Sequence, residues 1–168
     1  MSIIINTERL TLKKIEKKDL KILVNHLNNW NVVNWLVNVP YPYTLIDAET
    51  WLDKSSKEEL ALNIYFKSIL IGGITIDKRT TNNSSVLGYW IGEEYWGKGY
   101  AIEACNSIIS FFFSNYSGNI LYASHMLKNE KSKKILLNLG FQKVSEGNVF
   151  SLSKNKEVED VNYELINS

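Results

Sequence analysis

Apolar and polar positions along this chain change their period several times, and each change marks an element. Glu8 to Ile15, ERLTLKKI, alternates enough to read as a first strand. Asp19 then stands where it can cap a helix running to about Asn28. From Ile22 to Ile46 there is no Asp, Glu, Lys or Arg; the stretch is aromatic, and Pro40 and Pro42 make its end irregular. Thr44 opens a second helix, with Asp47 three positions on in an arrangement close to a capping box, and this helix extends to about Lys57. Three strands follow. Leu60, Leu62, Ile64 and Phe66 line one face of LALNIYFK, LIGGITID comes next, TTNNSS is a turn, and SVLGYWIG is the third. Ala101, Ile102, Cys105, Ile108, Ile109 and Phe112 then recur with the period of a helix that ends at Gly118-Asn119. ILYASHM is a further strand. Asn129 caps a helix carrying Ile135, Leu136 and Leu139, with Gly140 as its stop. FQKVSEG and DVNYELIN are two final strands. No repeat or linker interrupts this order, so the pattern predicts one α+β domain, residues 1–168, around a mixed sheet.

Composition narrows what such a domain can do. A chain of 168 residues is long enough to bury about 70 % of its unfolded surface without staples. The single cysteine, Cys105, allows no internal disulfide and falls on an apolar helical stripe, which reads as a buried thiol. One cysteine and the two separated histidines, His26 and His125, make no metal cluster. The opening MSIIINTERL is too short and too early in charge for a secretory leader, and no long uncharged apolar window suggests a membrane span. A cytoplasmic setting is the expectation. The net charge of +1 gives no basic field for nucleic acid.

The candidate chemistry begins at LGYWIGEEYWGKGYAIEA, Leu87 to Ala104, where Gly92, Gly97 and Gly99 gather before a helix that contains no glycine. Unpaired N–H groups and the positive end of the dipole lie at a helix start, and glycines there let a phosphate approach the backbone. A tight strand-to-helix turn with no ligand explains the same residues equally well. A Walker loop is excluded because Lys98 lies between Gly97 and Gly99 and Tyr100 follows. A dinucleotide fingerprint is excluded because Ile102 stands where the third glycine belongs. A pyrophosphate held by backbone amides remains.

LGYWIGEEYWGKGYAIEA and KNEKSKKILLNLGF together resemble the GNAT superfamily of acetyl-CoA-dependent N-acetyltransferases, and most of all the branch that includes the ribosomal-protein N-terminal acetyltransferases. In the family's glycine motif, Gln/Arg-x-x-Gly-x-Gly/Ala, Trp96 takes the first place, Gly99 the fourth and Ala101 the sixth. NTERLTLKKI, VPYPYTLIDAETWL and the Asn129, Ser132, Leu139-Gly140-Phe141 signature extend the likeness over most of the chain. The resemblance implies a mostly antiparallel sheet with helices on both faces and a splayed parallel pair at its centre, SVLGYWIG and ILYASHM. It implies acetyl-CoA as co-substrate in that gap. Trp90, Ile91 and Gly92 would pair with the pantetheine arm, an N–H near Ile91 would hold the oxyanion, and amides of Trp96, Gly97, Lys98, Gly99, Tyr100 and Ala101 would hold the pyrophosphate. Asn129 would present its amide to the pantetheine while capping its helix, and Lys134 or a neighbour would add a salt-sensitive phosphate contact.

Ser132 is the candidate hydrogen-bond donor to the departing thiolate; a small residue packed on the sheet is the plain alternative. Val86 stands about where relatives carry a carboxylate base, His125 has a suitable intrinsic pKa, and Glu93, Glu94 and Glu103 read as loop and surface groups, so the base stays unassigned. The implied activity is transfer of an acetyl group to a primary amine, by a monomer or homodimer with no nucleic-acid or membrane partner. The competing reading is a non-catalytic acyl-CoA sensor or scaffold of the same fold. Trp30, Trp35, Tyr41 and Tyr43 offer an aromatic acceptor wall that suits a peptide N-terminus or a small apolar amine better than a polycation.

Overall fold

In the computed structural model, which describes residues 2–78 and 84–168, the alternating stretches become strands of a single sheet. Among these residues the strands are β1 (Ile5–Asn6), β2 (Leu10–Lys13), β3 (Ala61–Phe66), β4 (Ile69–Lys78), β5 (Ser85–Ile91), β6 (Ile120–Met126), β7 (Gln142–Ser151) and β8 (Lys156–Ile166). The helices are α1 (Leu20–Leu27), α2 (Trp30–Val33), α3 (Leu45–Lys57), α4 (Tyr100–Asn115) and α5 (Glu130–Asn138). Residues 80–83 of the turn expected at TTNNSS lie outside the described residues.

The strand order is β1-β2-β3-β4-β5-β6-β8-β7, and every neighbouring pair is antiparallel except β5 and β6. That parallel pair is short. Ser85 pairs with Leu121 and Val86 with Tyr122, and there the ladder stops. Beyond Val86, β5 stays paired with β4 as far as Gly72↔Ile91, while β6 stays paired with β8 as far as Met126↔Asp160. Each strand therefore follows its other neighbour, and a gap opens between them toward their C-terminal ends.

Successive residues of a strand point to opposite faces, and the sheet is covered on both. Ile64, Ile71 and Ile91 belong to a core with α4 and α5, through Ala104, Cys105, Ile108, Phe112 and Leu136. Their neighbours Tyr65, Leu70 and Trp90 face a second core with α1 and α3, through Leu20, Leu23, Leu27 and Ala48. No helix among the described residues is long and apolar enough to cross a membrane.

Several boundaries differ from the sequence expectations, each for a tertiary reason. The first strand divides into β1 and β2, because residues 7–9 leave the sheet to meet α4: Thr7 Oγ1 and the Arg9 amide both donate to Glu103 Oε1, at 2.6 and 2.8 Å. Asp19 precedes α1 but does not cap it; buried, it accepts a hydrogen bond from the Tyr65 hydroxyl at 2.8 Å. The capping box of α3 is complete, with Thr44 and Asp47 each accepting from the other's backbone N–H. One turn, α2, forms inside the aromatic stretch, capped by the Asn29 side chain accepting from the Asn31 amide. The two final strands are longer than expected, and β8 inserts between β6 and β7.

Candidate functional site

The gap is bordered by backbone groups that alternate in direction. The Gly92 amide donates to Ile71 O at 2.8 Å, which fixes Gly92 toward β4. By alternation Trp90 also faces β4, opposite Gly73, while Tyr89 and Ile91 face the gap. This corrects two of the three expectations for β5. Gly92 spends its carbonyl on the Tyr95 amide as well, at 2.9 Å, and the place of its missing Cβ lies 2.4 Å from His26 Nδ1. What approaches Gly92 is thus the His26 ring, held by a hydrogen bond between its Nε2 and Leu70 O at 3.0 Å. Trp90 packs its indole over Gly73 in the α1–α3 core. Ile91 remains at the gap, its carbonyl accepting from the Trp96 indole Nε1 at 2.7 Å.

The other two glycines differ from Gly92. Gly97 has φ +71 and Gly99 φ +80, left-handed backbone that disfavours any other residue. Nothing lies within 4 Å of the place for a Cβ on Gly97, so the turn is open there. The Trp96 amide is spent on Glu93 O, at 3.1 Å, which removes it from the expected set of anion donors. Among the described residues the amides from Gly97 to Ile102 have no acceptor; the first closed helical bond runs from Glu103 N to Gly99 O at 3.1 Å. Arg9 braces the turn from outside, donating to Glu103 Oε2 at 2.7 Å and Lys98 O at 3.0 Å, with its guanidinium 4.6 Å over the Tyr100 ring. Burial pushes the Glu103 carboxyl up, but the hydrogen bonds from Thr7 and Arg9 outweigh it and hold the group below its ordinary value. Sequence reasoning passed over Arg9, since nothing local tied it to a turn ninety residues away.

The start of α5 lies against the same region. Lys131, not Lys134, meets the turn, its Nζ 4.2 Å over the Trp96 ring; Lys134 is exposed and has no ion pair among the described residues. Asn129 accepts from the Ser132 amide at 3.2 Å, which leaves its own NH₂ uncommitted. Ser132 Oγ lies 2.9 Å from the Tyr89 hydroxyl, so the two walls of the gap touch. His125, by contrast, is committed: its ring nitrogens lie 2.7 Å from Met126 O and 2.9 Å from the Tyr163 hydroxyl. Glu93 is held by the Asn29 and Asn31 amides at 2.6 and 3.1 Å, and Cys105 is buried with its thiol pushed up.

On the α1 side of the gap a cavity of about 170 Å³ is lined by Val86, Tyr122, Ser124 and Asn162. Beside Asn162 on that face is Asp160, paired in register with Met126. Asp160 is 8 % exposed, yet its carboxylate has no hydrogen-bond or ion-pair partner among the described residues. Its oxygens must therefore keep contact with solvent, because no fully enclosed side-chain oxygen lacks a partner. The connection from α1 to α3 closes over this side. Leu152 N donates to Val37 O at 2.9 Å, Ser153 Oγ to Val33 O at 3.2 Å, and Lys154 Nζ lies 5.1 Å from the Trp35 ring centre. Of the aromatic wall, Trp30 and Tyr41 are exposed and pack together at 5.1 Å, while Tyr43 is buried in the core. A larger cleft of about 510 Å³ lies between α1 and Glu93–Tyr95, lined by Ile22, Asn25, His26, Asn29 and Ile69, and shares no lining residue with the Tyr89–Ser132 contact.

Comparison with known proteins gives the same picture. Residues 9–142 match the acetyltransferase (GNAT) domain. The chain is 29 % identical over 147 residues to the uncharacterized N-acetyltransferase p20 of Bacillus licheniformis, covering 82 % of this chain and 81 % of that protein. A GNAT-family acetyltransferase from Bacillus anthracis superposes with a TM-score of 0.83 at 20 % identity, over 98 % of each chain. The ribosomal-protein-S5-alanine acetyltransferase of Vibrio fischeri superposes with a TM-score of 0.79 at 22 % identity, over 99 % of this chain and 97 % of that one.

Proposed function

The chain belongs to the GNAT acetyltransferase family, whose members draw on acetyl-CoA, and from that premise we propose that it acetylates the primary amine of a peptide N-terminus or a small amine with an apolar body. The observation that carries the reading is the gap itself: a parallel pair that parts after Val86↔Tyr122, flanked by free amides at the start of α4 and by the cap of α5. The residues fit the nucleotide end of acetyl-CoA. Six successive amides from Gly97 to Ile102 face no acceptor, the open space at Gly97 admits a phosphate, and Lys131 adds a positive charge nearby. Bound there, acetyl-CoA supplies an activated acyl group and a thiol that can leave.

The chain's own groups do the remainder. The Ile91 amide, turned into the gap, is a donor for an acyl oxygen lying there, and Asn129 offers its NH₂ to an amide of the pantetheine arm. Ser132 is the hydrogen-bond donor toward the sulfur that departs. An ammonium must lose a proton before it attacks, and Asp160 is the group for this: a carboxylate without a partner, reachable by solvent, beside the cavity on the α1 side. Val86 leaves the usual carboxylate position apolar, and Asp160 on β8, the strand beyond β6, offers one on the same face of the sheet.

Acceptor choice follows from what is free around the aromatic wall. From Asp19 to Leu60 there are six acidic residues and three lysines, a difference of −3. Asp19 is bonded to Tyr65, Asp47 closes the capping box, Asp53 pairs with Lys57 at 2.7 Å and Glu59 lies 3.9 Å from Lys78, which leaves Glu49 and Glu58 of the six without an ion pair among the described residues, too few for a carboxylate pocket that would hold a polycation. The exposed Trp30–Tyr41 pair offers apolar area instead. The test is release of CoA thiol with N-terminal peptides, small apolar amines, spermidine and an aminoglycoside. The expected result is a specificity constant for a peptide or an apolar amine above those for both polycations. Spermidine or the aminoglycoside ahead of every other acceptor by ten times, an order-of-magnitude margin of about 1.4 kcal/mol, overturns the acceptor class. Tight acyl-CoA binding with no transfer to any amine favours the sensor reading.

A further inference from the structure

Ser132 behaves unlike the other hydroxyls of the helices. Thr50, Ser55, Ser56 and Ser107 each donate to a carbonyl three or four residues back in their own helix. Ser132 instead reaches across the gap to the Tyr89 hydroxyl at 2.9 Å. Which oxygen donates follows from the acidity of the two hydroxyls. The Tyr89 hydroxyl has no other partner among the described residues, and its ring packs against the α4 core. The two arrangements are not equivalent: a phenol is the more acidic hydroxyl and the weaker acceptor, so the Tyr89 hydroxyl is the better donor and the Ser132 oxygen the better acceptor. With Tyr89 donating, Ser132 Oγ accepts and the one Ser132 hydrogen stays free. Burial, and after it the Cys105 thiol, push the phenol up, so Tyr89 keeps its hydrogen at every working pH.

We propose that Tyr89 is a positioning residue for acetyl transfer: by donating to Ser132 Oγ it leaves the Ser132 hydrogen unshared and turned into the gap, where it stabilises the charge that grows on the departing sulfur. The amine nitrogen bonds to the acyl carbon and gives up its proton to the base, while the carbon–sulfur bond breaks with the electron pair remaining on sulfur, where Ser132 contributes a hydrogen bond. Tyr89 touches neither reactant and acts only through Ser132. This inference rests on the acetyltransferase reading and on the role given there to Ser132.

A double-mutant cycle tests it. Tyr89→Phe, Ser132→Ala and the pair are compared with the wild type for kcat and for KM of acetyl-CoA, at saturating concentration of the best acceptor found, with thermal midpoints recorded. Each single substitution is expected to lower kcat by about tenfold or more, since Ser132→Ala removes the donor aimed at the developing charge and Tyr89→Phe removes the contact that turns it there. The double variant should be no slower than the slower single, and KM should stay within about twofold because ground-state binding is untouched. A purely structural role for Tyr89 gives losses that multiply in the double variant, and that overturns the proposal. So does a Tyr89→Phe enzyme with wild-type kcat. Ser132→Ala with wild-type kcat removes Ser132 from the machinery and Tyr89 with it, while acetyl transfer stands. A wild-type protein that acetylates no amine refutes the underlying reading instead.

Discussion

At the scale of the residue, three glycines that look alike in one motif have three different causes. Gly92 is small because the His26 ring occupies its side, with ordinary backbone; Gly97 and Gly99 are glycine because their φ values are +71 and +80. Only Gly97 has both a strained backbone and open space before it, so a side chain there blocks the anion site with the fewest collateral contacts; at Gly99 a Cβ would come 3.4 Å from Arg9. Gly97→Val should cost roughly 1–2 kcal/mol of stability from left-handed backbone. Its larger effect should be on CoA, with calorimetric affinity falling at least about tenfold, as expected when the backbone cradle of a phosphate is obstructed. Unchanged CoA affinity in a folded variant would place the pyrophosphate elsewhere. Asp160→Asn keeps size and removes the charge. It should lower kcat/KM for the amine by about 10²-fold or more, the usual worth of a general base, with KM for acetyl-CoA unchanged. Activity within a factor of two would free Asp160 of that role.

At the scale of the element, caps explain which helix starts are sealed and which remain open. The start of α3 is sealed by Thr44 and Asp47, and that of α5 by Asn129. The start of α4 has no side-chain cap at all, since Gly99 has no side chain to offer. A helix of 16 residues with an uncapped start concentrates free N–H groups and dipole charge where the gap ends. The seal on α3 has a measurable worth. Thr44→Ala should lower stability by about 1 kcal/mol in urea unfolding, leaving acetyl-CoA affinity unchanged, because the box lies on the acceptor side of the sheet. A loss of CoA affinity in that variant would mean that α3 and the nucleotide turn are coupled through the sheet.

At the scale of the whole molecule, the fold is a sheet whose two halves diverge, clamped by a different helical layer on each face. β1 to β5 form one half, β6 to β8 the other, and among the described residues two residue pairs join them along the sheet. What holds the halves together is the packing above and below. α4 packs against the first half, and both Leu121 of β6 and Phe141 share its core. On the opposite face the 29–44 connection reaches the turn after β7 through Val37 and Val33. The gap is thus a consequence of the architecture, fixed by the helices that bridge it, with the Tyr89–Ser132 contact reaching across.

The sequence by itself determined the element order, the helix stripe of α4, the two sealed caps and the position of the glycine turn, because each is written in residues within one or two turns of each other. The Asn129-to-Ser132 spacing and the stop at Gly140, with φ +90, were legible for the same reason. Only the tertiary structure decided which glycine has open space before it, since His26 and Gly92 are distant in sequence and meet only when α1 packs on the sheet. It also decided that Asp19 serves Tyr65 instead of capping α1, that Lys131 and not Lys134 reaches the turn, and that Trp90 turns away from the gap while Ile91 enters it. Arg9, Tyr89 and Asp160 carried no local signal. Long-range register and packing bring a strand start to a helix start, a phenol to a serine 43 residues on, and a carboxylate to the face of the sheet that carries a cavity. Local chemistry fixes where a chain can turn and what a helix end can hold; which side chain stands opposite that end is settled only when the sheet closes its register.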